Sequence, residues 1–163
     1  MLFLGFILNV KSREINRRDT TTQFSKLEET IVQESFECGK QLGLAVVSKI
    51  KLPNQFNILE EDNEGMEKLW GCLWVRMNLI DTDSKINEEN LAKYYYDASN
   101  QKQPVEIVDE NTAKYFVQQC KYIKGPSYGQ TTLKIHNCMQ NRLNAFVTVR
   151  RFAAVHGAYN KLI

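Results

Sequence analysis

Apolar residues in this chain recur mostly at spacings of three and four, so helices are the expected elements. In TTQFSKLEETIVQESFECGKQLGL, the residues Phe24, Leu27, Ile31, Cys38 and Leu42 fall on one stripe with Glu and Lys opposite, and Gly43 is placed to stop the helix. AVVSKIKLPNQFNILEED follows, interrupted by Pro53, and reads as a short helix or an irregular link. Met66, Leu69, Trp70, Leu73 and Met77 give a further amphipathic face, ended by DTDS. Ile86 and Leu91 flank Asn87 as a hydrophobic staple around an N-cap, opening a helix that runs through Tyr96. DASNQKQPVEI is a polar loop. Asp109 caps a helix in which Ala113, Phe116, Val117 and Cys120 share one face, and KGPSYGQ breaks it. The last helix starts near Thr131 and carries Ile135, Cys138, Met139, Leu143, Phe146 and Val147. Strand-like runs are confined to short pieces such as FVTV. The pattern predicts an all-α single domain of about six helices.

A chain of 163 residues is long enough to bury one substantial core. With 43% hydrophobic and 25% charged residues it has the composition of a soluble globular protein. A net charge of +2, with Lys and Arg interleaved among Asp and Glu, argues against a nucleic-acid partner. The densest basic cluster, KSREINRR, reads as a solvated flexible arm. The longest apolar run, LFLGFILNV from Leu2 to Val10, is too short to span a bilayer and has the length of a signal-peptide core. No Lys or Arg precedes it, so it reads as a truncated signal, with cleavage after Ser12 starting the mature chain at Arg13. The expected product is secreted and extracellular. Its expected divisions are a signal remnant over 1–12, an arm over 13–22, the helical domain over 23–147 and a C-terminal extension over 148–163.

Cys72 lies inside a predicted helix with no cysteine near it. The others, Cys38, Cys120 and Cys138, are equally isolated, and His136 and His156 complete no zinc pattern, so neither a metal nor a cofactor is expected. In a secreted chain four cysteines most simply form two disulfides, whose pairing the spacing leaves open. Each would staple one helix to another and contribute roughly 3–4 kcal/mol. Catalytic signatures such as G-x-S-x-G, H-E-x-x-H or a phosphate-binding glycine loop are missing from the sequence. GPSYG is a turn, and the pairs Glu28/Glu29 and Glu88/Glu89 belong on helix surfaces or caps. No enzymatic activity is expected.

The cysteine spacing resembles that of the insect odorant-binding proteins of the pheromone-binding class. Cys38 fits the first position of their six-cysteine pattern, Cys72 the third, Cys120 the fourth and Cys138 the sixth. CLWVRMNLIDTDSKINEENL resembles the helix, turn and helix that follow the third cysteine, and TTLKIHNCMQ the segment around the last. The second and fifth positions fall on Lys68 and Gly129. Those two are bonded to each other in the family, so the chain lacks one complete pair, as minus-C members do. The resemblance covers Phe24 to Phe146 and implies the pairs Cys38–Cys72 and Cys120–Cys138. It also implies an odorant-binding-like shell around an apolar cavity that binds and releases small hydrophobic molecules without altering them. The absent staple implies looser packing of the third and fourth helices on the last. The chain departs from the pattern in a longer stretch between Cys72 and Cys120 and in a long tail after Cys138.

Such a cavity would gain about 0.8 kcal/mol for each ligand CH₂ buried. Its expected lining is Phe24, Leu27, Ile31, Leu73, Met77, Leu91, Tyr95, Phe116, Leu133 and Phe146. Tyr95 offers a hydroxyl to an alcohol, aldehyde or ester, and Met77 adapts to different shapes. Trp70 and Trp74, one turn apart, read as packing residues, and at most two of Tyr94, Tyr95 and Tyr96 can face inward. His136, close to Cys138, reads as a surface histidine, with a pH switch as its functional alternative. The tail either caps the cavity with Phe146, Val149 and Phe152 or lies outside it. The expected partner is a small hydrophobic organic ligand, with a membrane receptor and a homodimer as further candidates. The alternatives are a cytokine-like or hormone-like secreted signal, which would need four long helices, and a salivary or seminal scavenger of the same fold.

Overall fold

Helix starts in this chain are marked by side chains that satisfy the first free backbone N–H groups. Asn63 accepts from Met66 N at 3.0 Å, Asn87 from Asn90 N at 3.2 Å and Asp109 from Thr112 N at 2.8 Å. The computed structural model describes residues 26–44, 58–101 and 106–159, the stretch from 151 by its backbone alone. Over those residues it contains α1 (Lys26–Gln41), α2 (Glu64–Arg76), α3 (Glu88–Asn100), α4 (Glu110–Cys120) and α5 (Tyr128–Tyr159). The first four helices have 16, 13, 13 and 11 residues, not the lengths of a four-long-helix signalling bundle. Of the sixth predicted element, residues 45–57 lie outside the described residues, and 58–63 form a turn. The signal-like run, the basic arm and Phe24 also lie outside them.

Helix ends follow the sequence equally directly. Gly43 stops α1 at φ +63°, a conformation that suits glycine, and Leu44 N reaches back to Gly39 O at 3.0 Å. Asn78 does the same for α2 at φ +55°, with Leu79 N donating to Trp74 O at 2.8 Å. A tight turn then leads to α3. Within it the Asp81 carboxylate accepts from Asp83 N at 3.0 Å and Lys85 N at 2.8 Å, and Ile80 pairs with Ile86 in an isolated bridge.

Two boundaries differ from the expectation. α5 begins a turn early because the Ser127 hydroxyl accepts from Gln130 N at 3.0 Å and acts as its cap. It also continues to Tyr159, well past Val147. FVTV, read as strand-like, is helical there: Phe146 packs on Phe116 of α4 at a centroid distance of 5.8 Å, and that packing outweighs the β preference of its neighbours.

α2 packs on α5, α3 on α4, α4 on α5 and α1 on α2. Two disulfides pin this arrangement. Cys38–Cys72 ties α1 to α2 with Cα atoms 5.8 Å apart, and Cys120–Cys138 ties the end of α4 to α5 at 5.9 Å. These are the pairs that the resemblance implies, and Cys72's partner is in α1. At the place of the absent third staple the helix backbones touch. A Cβ on Gly129 would lie 2.7 Å from Glu67 O, beside the peptide bond to Lys68, and one on Gly71 would lie 2.8 Å from Gly129 Cα. Where the resemblance implies slack, two glycines let α2 and α5 close to backbone contact.

Candidate functional site

Nine of the ten predicted lining residues come together; the tenth, Phe24, lies outside the described residues. Ile31, Leu73, Leu91, Tyr95, Phe116 and Leu133 are all buried in one hydrophobic cluster, and Leu27, Met77 and Phe146 pack against its edge. The cluster draws on all five helices, because each presents one apolar stripe to the same interior. Arg150, a turn beyond Phe146, donates to Ile107 O at 2.5 Å and holds the chain entering α4 against the extension of α5. Val149 points away and is exposed, so this part of the tail lies along the outside.

Loops around the cluster are held by two side-chain amides, one buried and one half-buried. Asn137 on α5 accepts from Leu59 N at 2.8 Å and donates to Leu59 O at 2.9 Å and to Glu61 at 3.0 Å. Asn100 at the end of α3 accepts from Ile107 N at 2.6 Å and donates to Val108 O at 2.6 Å. Satisfying loop backbone in this way lets irregular chain cross an apolar interior.

At the centre sits His136, and here the sequence expectation is corrected. It is fully buried, not on the surface. It stands on the inward stripe of α5 with Leu133, Met139 and Gln140, and every neighbour on that stripe faces the core. Its Nδ1 and the Tyr95 hydroxyl share a hydrogen bond of 2.8 Å. Its ring lies 4.7 Å from the Trp70 ring and 6.5 Å from that of Trp74, and Tyr94 meets Tyr95 edge to face at 5.1 Å. The Tyr95 hydroxyl, expected to meet ligand, is thus engaged by the histidine. Burial pushes the Tyr94 and Tyr95 phenols well above the usual tyrosine pKa, so both remain neutral. As the spacing allowed, Tyr94 and Tyr95 face inward while Tyr96 stays at the edge.

Three further polar atoms of this aromatic group are buried without a hydrogen-bond partner among the described residues: Trp70 Nε1, Trp74 Nε1 and Tyr94 Oη. From the sequence the tryptophans read as packing residues alone, because nothing in their spacing marks an indole N–H that lacks an acceptor. No buried Lys, Arg, Asp or Glu accompanies them among the described residues.

A surface hollow of about 240 Å³ between α3 and α4 has a different character. Glu89, Lys93, Glu110 and Lys114 rim it, with Ala92 and Tyr96 at its floor, and none of the predicted lining residues takes part. Among the described residues no group of His, Cys, Asp and Glu is placed to hold a metal ion, and no helix is long and apolar enough to cross a membrane.

Compared with known proteins, the chain matches the model of the PBP/GOBP family over residues 20–142. Neither a curated protein nor a solved structure matches it.

Proposed function

The chain belongs to the PBP/GOBP family of insect pheromone- and odorant-binding proteins, and from that membership we propose that it takes up small hydrophobic molecules in its interior, carries them and releases them unchanged. Proteins of this family are small carriers and not enzymes, and they are typically secreted. The observation that carries the proposal for this chain is the gathering of the predicted lining residues from all five helices into one cluster held by two disulfides. Cross-links of this kind keep a helical shell from collapsing onto a ligand-sized interior. With one staple fewer than the six-cysteine pattern, the chain fits the minus-C type. The test is displacement of an apolar fluorescent probe from the oxidised protein by long-chain alcohols, aldehydes and esters. Saturable micromolar binding with one site per chain is expected. Binding that never saturates would mean that the cluster is a filled core and would sink the carrier reading.

A further inference from the structure

Among the described residues, the buried unpartnered atoms of aromatic side chains all belong to one chain of touching rings. Trp70 and Trp74 both lie against His136, His136 is hydrogen-bonded to Tyr95, and Tyr95 meets Tyr94. An indole N–H is a donor only, and a neutral phenol can donate. Three groups able to donate are therefore buried along this one chain of rings, each on a side chain more than nine-tenths buried. Native interiors rarely leave such groups unmatched, because each costs on the order of 1–3 kcal/mol when no acceptor is at hand. Tyr95 is engaged by His136 and Gln140, and the two indole N–H groups are left unserved.

We propose that Trp70, Trp74 and Tyr94 form the polar end of the ligand site and select a neutral apolar molecule bearing a hydrogen-bond acceptor: a long-chain ester, ketone or aldehyde. This deepens the carrier reading and rests on it. A hydrocarbon would leave the donors unmatched. A fatty-acid carboxylate would bury a charge with no Lys or Arg among the described core residues to balance it, beside a histidine whose Nδ1 is already engaged by Tyr95. A carbonyl oxygen brings acceptor lone pairs alone, which is what two indole N–H groups and a phenol can donate to.

The experiment compares an ester, the hydrocarbon of equal length and the matching carboxylate as competitors for the same fluorescent probe. It uses wild type, Trp70→Phe and Trp74→Phe, substitutions that keep an aromatic ring but remove the N–H. In wild type the ester binds more tightly than the carboxylate. In at least one variant the ester-to-hydrocarbon affinity ratio falls roughly tenfold, with hydrocarbon affinity unchanged. A second reading needs no variant: the infrared carbonyl stretch of a ¹³C-labelled ester bound to wild type should lie below its position in alkane solvent. An unchanged ratio in both variants with a carbonyl stretch at the alkane position would overturn this assignment while leaving the carrier reading intact. Failure of every competitor to displace the probe would overturn the carrier reading, and this one with it.

Discussion

Replacing Cys38 and Cys72 together by alanine is expected to lower unfolding stability by about 4 kcal/mol, and replacing Cys120 and Cys138 by about 3 kcal/mol. The difference follows the lengths of chain enclosed, 34 and 18 residues, because a longer closed loop removes more entropy from the unfolded chain. Either loss is a large part of the roughly 5–15 kcal/mol that holds a domain together. The consequences should differ in place. Cys38–Cys72 forms a small cluster of its own with Leu69, edged by Leu42 and Leu44, so its loss frees the end of α1. Cys120–Cys138 joins α4 to α5 beside the main cluster, so its loss should also weaken ligand binding. Chemical denaturation of each double variant measures this. A loss below about 1 kcal/mol for both would show that packing alone holds the shell.

The second large effect is expected at the contact between α2 and α5. Gly129→Val should cost about 3 kcal/mol, at the upper end for overpacking. The new Cβ would meet the Glu67 carbonyl oxygen at 2.7 Å, and this atom is backbone and cannot swing aside. The helices must part, pulling Trp70 on α2 away from His136 on α5, whose rings are now 4.7 Å apart. Gly65→Ala is the matched control. Its added Cβ would meet nothing closer than 3.5 Å, and alanine is worth up to about 1 kcal/mol over glycine in a helix, so it should be neutral or stabilising. Thermal unfolding of the two variants decides the matter. Equal melting temperatures would mean that the backbone contact at Gly129 is not tight in solution.

Much of this fold was legible because the signals were local. Asn87, Asp109 and Gly43 announce helix ends through their own side-chain or backbone chemistry, and each sits where the sequence placed it. Stripes at helical spacing gave most of the core. Long-range facts were harder to read. The disulfide pairing came from family resemblance, since spacing leaves it open. The close approach at Gly71 and Gly129 depends on two segments far apart in sequence, and a glycine in a helix usually signals only weak propensity. His136 was misread on its residue type. Its position between Leu133 and Met139 marked it as inward-facing, but a buried imidazole needs a partner, and the one that satisfies it, Tyr95, is 41 residues away. The onset of α5 was missed because Ser127 lay within a run that reads as a loop.

A carried ligand is expected to enter the cluster beside α2 and α5. The chain carries two tryptophans, Trp70 and Trp74, and both are buried there. Intrinsic fluorescence therefore reports on that place. The direct measurement is titration of the oxidised protein with a bromine-bearing long-chain ester, whose heavy atom quenches only indoles that it reaches. Saturable quenching is expected, levelling off at one ligand per chain and reversed by the unbrominated ester. Unquenched tryptophans under conditions where the apolar probe binds would place the ligand elsewhere than in this cluster.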